Sequence, residues 1–390
     1  MSKLCGLMAA CAVAVLLLRP WPGAAQDKDD KREKVRITTS DGVELNAHFY
    51  ACLDPKVKNP PTILMLHPLG TGENSSKKAW IALAQTLQTK AAVLTFDFRG
   101  HGQSTEVDPM VFWKVPTNVN QIKEGLKAKQ TNKANIDFKE FDKAYYSVLV
   151  NDIYACRSFL DRKNDTTGLC NTSSIVLVGA ESGGTLGAIW LSAEWHRHRL
   201  IQNPVNLATF LDTKSEGQDV IACVWLTMAA TLGPRDQATP KTIQVASTLQ
   251  IPLKDRGIPM VFIYGENDEK GKKVAAAALA TLPAKSKKTL YSWTDKVEVK
   301  KTDLRGTDLL AKSLNVDKAI HGYLFGDAER EGVIANKYRD YTEREFKKTQ
   351  YQWRVPGTPP GVGIGIPAKT LAYPNDFVFD TFVKYAKWGN

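Results

Sequence analysis

Histidine and cysteine are both scarce in this chain, six of each in 390 residues. Cys5 and Cys11 lie in the N-terminal apolar segment, and the remaining Cys52, Cys156, Cys170 and Cys223 show no zinc-site spacing, which excludes a metal centre built on cysteine pairs. Long hydrophobic runs are missing too. Apart from the 15-residue "LCGLMAACAVAVLLL", no segment approaches membrane-spanning length, and that one is too short and poorly flanked to span. No basic stretch is interleaved with aromatics, so a nucleic-acid partner is not expected, and no internal repeat points to a solenoid. The "GVGIGIP" segment around Gly361 lacks a preceding strand, a following helix and a distal acid, so it reads as a flexible loop and implies no dinucleotide. No cofactor or metal follows from the sequence.

What is present is an ordinary globular composition, 43% hydrophobic and 24% charged, enough to bury a large core. The N-terminus has the layout of a signal peptide. A basic "MSK", the apolar stretch and the small residues of "RPWPGAA" precede a charged segment, which predicts cleavage after Ala25 and export to the periplasm or cell exterior. Removing residues 1–25 takes away Lys3 and Arg19 and no acid, lowering the formal charge from +11 to +9. The basic residues are scattered among acids and read as a solvated face. In an exported chain Cys156 and Cys170 are expected to pair, since a helix carrying the first would lead through a loop to a strand beginning near the second. Sequons stand at Asn74, Asn164 and Asn171. His196 and His198 sit two apart in a segment expected to be helical, where they would face different sides and make no metal site.

Short apolar strands alternate with helical segments. The strands "PTILMLHPL", "AAVLTFDFRG", "SSIVLVG", "DVIACVWLTMA" and "IPMVFIYG" are separated by helices such as "KAWIALAQTLQTK" and "GGTLGAIWLSAEWHRHRL", and "VRITTSDGVELNAHFYAC" reads as a leading hairpin. The pattern predicts an α/β fold with a mostly parallel sheet covered on both faces. Gln103 to Phe141 and Leu200 to Gln218 fall where lid-like insertions would sit.

Four motifs, "LMLHPLG", "DFRGHGQS", "VLVGAESGG" and "YGEND", stand after successive strands. In this order they resemble the α/β-hydrolase superfamily across residues 35 to 325. The resemblance implies a hydrolase-like domain over 26–325, with 326–390 a C-terminal extension packed on it. It implies that the His67 to Gly70 loop offers the backbone N–H of Leu69 to an oxyanion hole, the second donor coming from the residue after the nucleophile. His67, Asp97, Arg99 and His101 are then structural residues, and Trp190 and Trp195 belong to the core.

The nucleophile of such a fold occupies a strained strand-to-helix turn whose neighbours two before and two after must be small. With Glu181 at the tip these are Gly179 and Gly183; with Ser182 they are Ala180 and Gly184. The Glu181 register places glycine on both sides and ends the apolar strand at a glycine, so it is favoured. Asp268 stands where the resemblance implies the acid member. At the implied base position, "KTDLRGTDLL" offers Arg305 before Gly306 and no histidine; the nearest is His321, on a segment whose Val316, Ile320 and Leu324 predict a helix. A carboxylate nucleophile resembles the haloalkane dehalogenase and epoxide hydrolase branches, but those use Asp and still need a histidine.

Two functions of different class remain. One is a degenerate hydrolase scaffold that binds a small-molecule or peptide ligand, with Arg305 pairing Glu181 or Asp268 in an ion network. The other is an active ester or peptide hydrolase using Ser182, Asp268 and His321, with the N–H groups of Leu69 and Gly183 as oxyanion donors.

Overall fold

The structure is a computed structural model that describes residues 32–123, 132–202, 205, 209–235, 241–283, 293–345, 351–354 and 365–367. The expected signal peptide, residues 1–25, lies outside the described residues. Among the latter, no helix is long and apolar enough to cross a membrane.

An antiparallel hairpin, β1 (Arg32–Thr38) and β2 (Glu44–Tyr50), opens the chain. It is followed by β3 (Pro61–Leu66), β4 (Ala92–Phe96), β5 (Asn171–Ala180), β6 (Arg197–Gln202), β7 (Thr209–Ser215), β8 (Val220–Leu226), the short pair β9 (Thr231–Leu232) and β10 (Lys241–Thr242), β11 (Met260–Gly265), β12 (Asp295–Val299), β13 (Tyr351–Arg354) and β14 (Gly365–Pro367). Eight of them form one sheet in the order β1-β2-β4-β3-β5-β8-β11-β12, parallel from β4 to β12. That order, with β2 antiparallel to β4 and the chain crossing over from β3 to β4 and back to β5, is the α/β-hydrolase fold.

Side-chain alternation explains how the sheet is covered. Leu64 and Leu66 of β3 and Ile175 and Leu177 of β5 point to one face, while Ile63, Met65, Val176 and Val178 point to the other. On the second face lie α1 (Lys78–Leu87), burying Trp80, Leu83, Ala84 and Leu87 at helical spacing, and α5 (Val316–Phe325), burying Val316, Ile320 and Leu324. The first face receives α2 (Val150–Thr167), α3 (Glu181–Glu194) and α4 (Glu269–Ala280). The strand β12 carries three charged residues in "DKVEV" and is largely exposed, as a sheet edge tolerates.

Several expectations need correcting. The helix after the elbow does not run to Leu200 but stops at Glu194, and β6 begins at Arg197, whose buried guanidinium is gripped by Glu194 at 2.7 and 2.6 Å and lies over the Tyr351 ring. Leu200 to Gln218 thus supplies a hairpin to a second, antiparallel sheet, β14-β13-β6-β7, and Gly365–Pro367 is a strand there, not a loop. His198 is a strand residue, with its ring on the Asp212 carbonyl, and no group of three metal-ligating side chains exists among the described residues. Cys156 and Cys170 are both free, buried thiols and not a disulfide. Burial pushes the Cys170 thiol up to about 12. Within Gln103 to Phe141, Phe112, Ile122, Ile136 and Phe141 join the core. The Asn164 and Asn171 side chains are buried and hydrogen-bonded to the carbonyls of Thr342 and Arg339, which closes both sequons to a glycan in the folded chain. Trp190 is fully buried and Trp195 packs partly buried against the core.

Candidate functional site

The loops that matter follow the C-terminal ends of the parallel strands, where ligands bind in sheets of this kind. Glu181 is the first residue of α3, directly after β5, and its φ of 46° puts a non-glycine residue in the left-handed region. Such strain persists where the surroundings impose it. A Cβ on Gly179 would come within 2.5 Å of the Gly184 Cα, and one on Gly183 would strike the His67 carbonyl. The backbones of β5 and α3 leave no room for a side chain at 179, the chain leaving β3 leaves none at 183, and the left-handed φ at 181 puts Glu181 at the tip of the elbow.

The Glu181 carboxylate is paired with a guanidinium. Arg235, in the loop after β9, holds both of its oxygens, Nε donating to Oε2 at 3.0 Å and Nη2 to Oε1. Gly306 backs the same carboxylate so closely that a Cβ would collide with Oε1. Asp308 lies 3.8 Å from Arg235, and the pairing with Glu181 raises the Arg235 guanidinium above its ordinary range. At the rim, Lys77 Nζ donates to Glu73, Thr307 and Asp308 at 2.7, 3.0 and 3.4 Å.

Ser182 is turned the other way. Its Oγ accepts a hydrogen bond from the Leu69 N–H at 3.1 Å, so the donor expected to serve an oxyanion is occupied by a side chain of the elbow itself. With Glu181 at the tip, the residue following it is Ser182, so Gly183 is not in the position of the second oxyanion donor.

Asp268 stands one residue before α4 and is fully buried. Arg305, which the sequence led one to expect at the base position, has its Nε 2.8 Å from Asp268 Oδ1. The two charges are in contact but misaligned for hydrogen bonding, which leaves both Asp268 oxygens without a hydrogen-bond partner. Thr227 Oγ1, in the loop after β8, is likewise buried without one.

His321 is not brought to this group. It lies on α5 beside Phe325, and its pKa is lowered by partial burial and by Lys90, a residue just ahead of β4 at the opposite end of the parallel strands. His67 and His101, which do reach the loop carrying Leu69, are engaged at both ring nitrogens. His67 Nε2 accepts from the Phe98 N–H at 3.0 Å and Nδ1 donates to the Pro68 carbonyl, while His101 Nε2 accepts from the Gly70 N–H at 3.2 Å and Nδ1 donates to the Arg99 carbonyl at 3.0 Å. Burial holds both below the ordinary imidazole range, His101 at about 3. Asp97 accepts from the Ser75 and Gln103 N–H groups.

Glu181, Asp268 and Arg305, expected from the sequence, lie at these strand ends, and Arg235, which the sequence did not suggest, lies with them. The only local signal was its position after the Gly233-Pro234 break, a turn that carries no periodicity to mark it.

No family model matches the chain, and no curated protein matches it either. Among solved structures it is similar to an α/β serine hydrolase without a lid from Xanthomonas campestris, at 14% identity over 75% of this chain and 93% of that one, with a TM-score of 0.42. A dienelactone hydrolase from Anabaena variabilis shows 14% identity over 74% and 94%, TM-score 0.41, and an esterase from Pyrococcus furiosus 13% over 75% and 88%, TM-score 0.43. The strand order and the β5–α3 elbow define the fold.

Proposed function

We propose that this chain is an exported α/β-hydrolase-fold protein that binds a small-molecule or peptide ligand at its elbow instead of hydrolysing one. The observation that carries this reading is the bidentate grip of Arg235 on Glu181 at the tip. A carboxylate there already occupies the place where an oxyanion would have to develop, and its lone pairs are committed to a guanidinium. The remaining machinery points the same way. Ser182 has its hydroxyl on the Leu69 N–H, no imidazole stands beside it to take its proton, and Asp268 faces an arginine that accepts nothing. Export rests on the N-terminal signal-peptide layout.

The test is the hydrolysis of an activated nitrophenyl ester by the parent chain, Ser182→Ala and His321→Ala. The binding reading expects the same low rate from all three, since an oxyanion donor and simple binding sustain a background without a triad. A rate in the parent that both substitutions abolish supports the active serine hydrolase and refutes it.

A further inference from the structure

Arg305 is in contact with a carboxylate and yet has its donors unspent. Its Nε lies 2.8 Å from Asp268, but among the described residues none of its five N–H groups makes an aligned hydrogen bond, and the side chain keeps 29% of its exposure. Arg235 adds a second guanidinium, 48% exposed, whose Nε and Nη2 serve Glu181 and whose Nη1 makes no hydrogen bond among the described residues. Gly306 follows Arg305 and touches the carboxylate that Arg235 holds, so the two arginines flank one short stretch of chain. On the buried side, the Asp268 oxygens and Thr227 Oγ1 lack a hydrogen-bond partner. A guanidinium anchored by one buried acid, with its other donors unclaimed and access to solvent, is arranged for an acceptor that arrives from outside.

We infer that Arg305, supported by Arg235, seats the carboxylate group of a ligand; the inference rests on the reading of the elbow as a binding site and names the ligand's chemistry. A carboxylate presents two coplanar oxygens that match the guanidinium fork. The local charges leave one net negative, with Glu181, Asp268, Asp308 and Glu73 against Arg235, Arg305 and Lys77. A dianion such as phosphate meets that negative field with two charges, whereas a planar monoanion meets it with one and gains the paired hydrogen bonds of the guanidinium fork. Recognition therefore comes from geometry more than from field.

The experiment is calorimetric titration of the full chain with benzoate, with benzamide as an uncharged probe of the same shape, and with inorganic phosphate. Saturable binding of benzoate is expected, with none for benzamide and weaker binding of phosphate. Arg305→Gln should weaken benzoate about tenfold or more, and Arg305→Lys, which keeps the charge but not the fork, should weaken it nearly as much. Because Arg305→Gln strands Asp268, the double variant Arg305→Gln with Asp268→Asn is measured beside it and should lose as much affinity while remaining folded. No saturable benzoate binding, equal binding of benzamide, tighter binding of phosphate, or a double variant that binds benzoate as the parent does would each overturn the inference. The ester assay separates the two failures. A chain whose Ser182 hydrolyses ester but that still binds benzoate through Arg305 overturns the functional reading alone, and an inert chain that ignores benzoate overturns only the carboxylate seat.

Discussion

Arg99 and Arg305 both face carboxylates from loops at the strand ends, and they are used in opposite ways. Arg99 is wholly buried and spent: Nε donates to Asp152 at 2.8 Å, Nη1 to Asp41 at 2.6 Å and to the Tyr145 hydroxyl at 3.2 Å, and Nη2 to Asp41 at 3.1 Å. Asn118 closes the ring by donating to Asp41 and accepting from Tyr145. Arg305 touches one acid, completes no such ring, and reaches solvent. A saturated network fixes a loop and leaves nothing for a ligand; an unsaturated one at the same edge of the sheet is where binding can add hydrogen bonds.

The contrast is sharpest in stability. Arg99→Gln strands Asp41 and Asp152 in the core and is expected to cost about 3 to 5 kcal/mol in urea unfolding. Neutralising Asp152 as well should not restore the parent, because the buried Asp41 carboxylate keeps its bonds from Thr39 and Asn118 but has lost its cation. Next in size is the acid limb set on the Arg99 loop. His101 is neutral in the fold, its pKa lowered from 6.5 to about 3 by burial, so its contribution is fully present above pH 6.5 and is lost as the pH falls towards 3. Unfolding midpoints should drop across that window, and His101→Gln should flatten the slope. His67 acts in the same sense. Asp152, which burial lifts to about 6 against the pull of Arg99, works the other way, favouring the fold as the pH falls from 6 through 3.8.

The open arginine should behave differently. Arg305→Gln is expected to cost roughly 1 to 3 kcal/mol through the stranded Asp268, and adding Asp268→Asn should return stability to within about 1 kcal/mol of the parent, because no saturated ring is lost. If the double variant stays as unstable as Arg99→Gln, the two networks do not differ as described. The smallest effect belongs to Arg235→Gln. Its side chain is half-exposed while Glu181 is buried, so its pair with Glu181 should contribute about 1 kcal/mol, and added salt should shrink the difference from the parent.

Much of the fold was legible because each central strand is a short apolar run, and the elbow was legible because glycine at 179 and 183 admits Glu181 to the tip. Where the sequence misled, a remote partner decided the local structure. The apolar spacing through Leu191 continues the helix on paper, but Arg197 is captured by Glu194 and covered by Tyr351, and the chain pairs as β6 with β13. Cys156 and Cys170 lie at the ends expected of a pair, yet the Cys170 thiol turns to the Leu160 carbonyl. Arg235 shares no spacing with Glu181, 54 residues before it, so only the folded chain could join them.

The most direct test of the elbow as a binding site is treatment of the folded chain with a fluorophosphonate, read by intact mass. The account predicts no adduct, because Ser182 has its hydroxyl on the Leu69 N–H and no base within reach. Stoichiometric labelling at Ser182 that is lost in His321→Ala would contradict it and make the chain a working serine hydrolase.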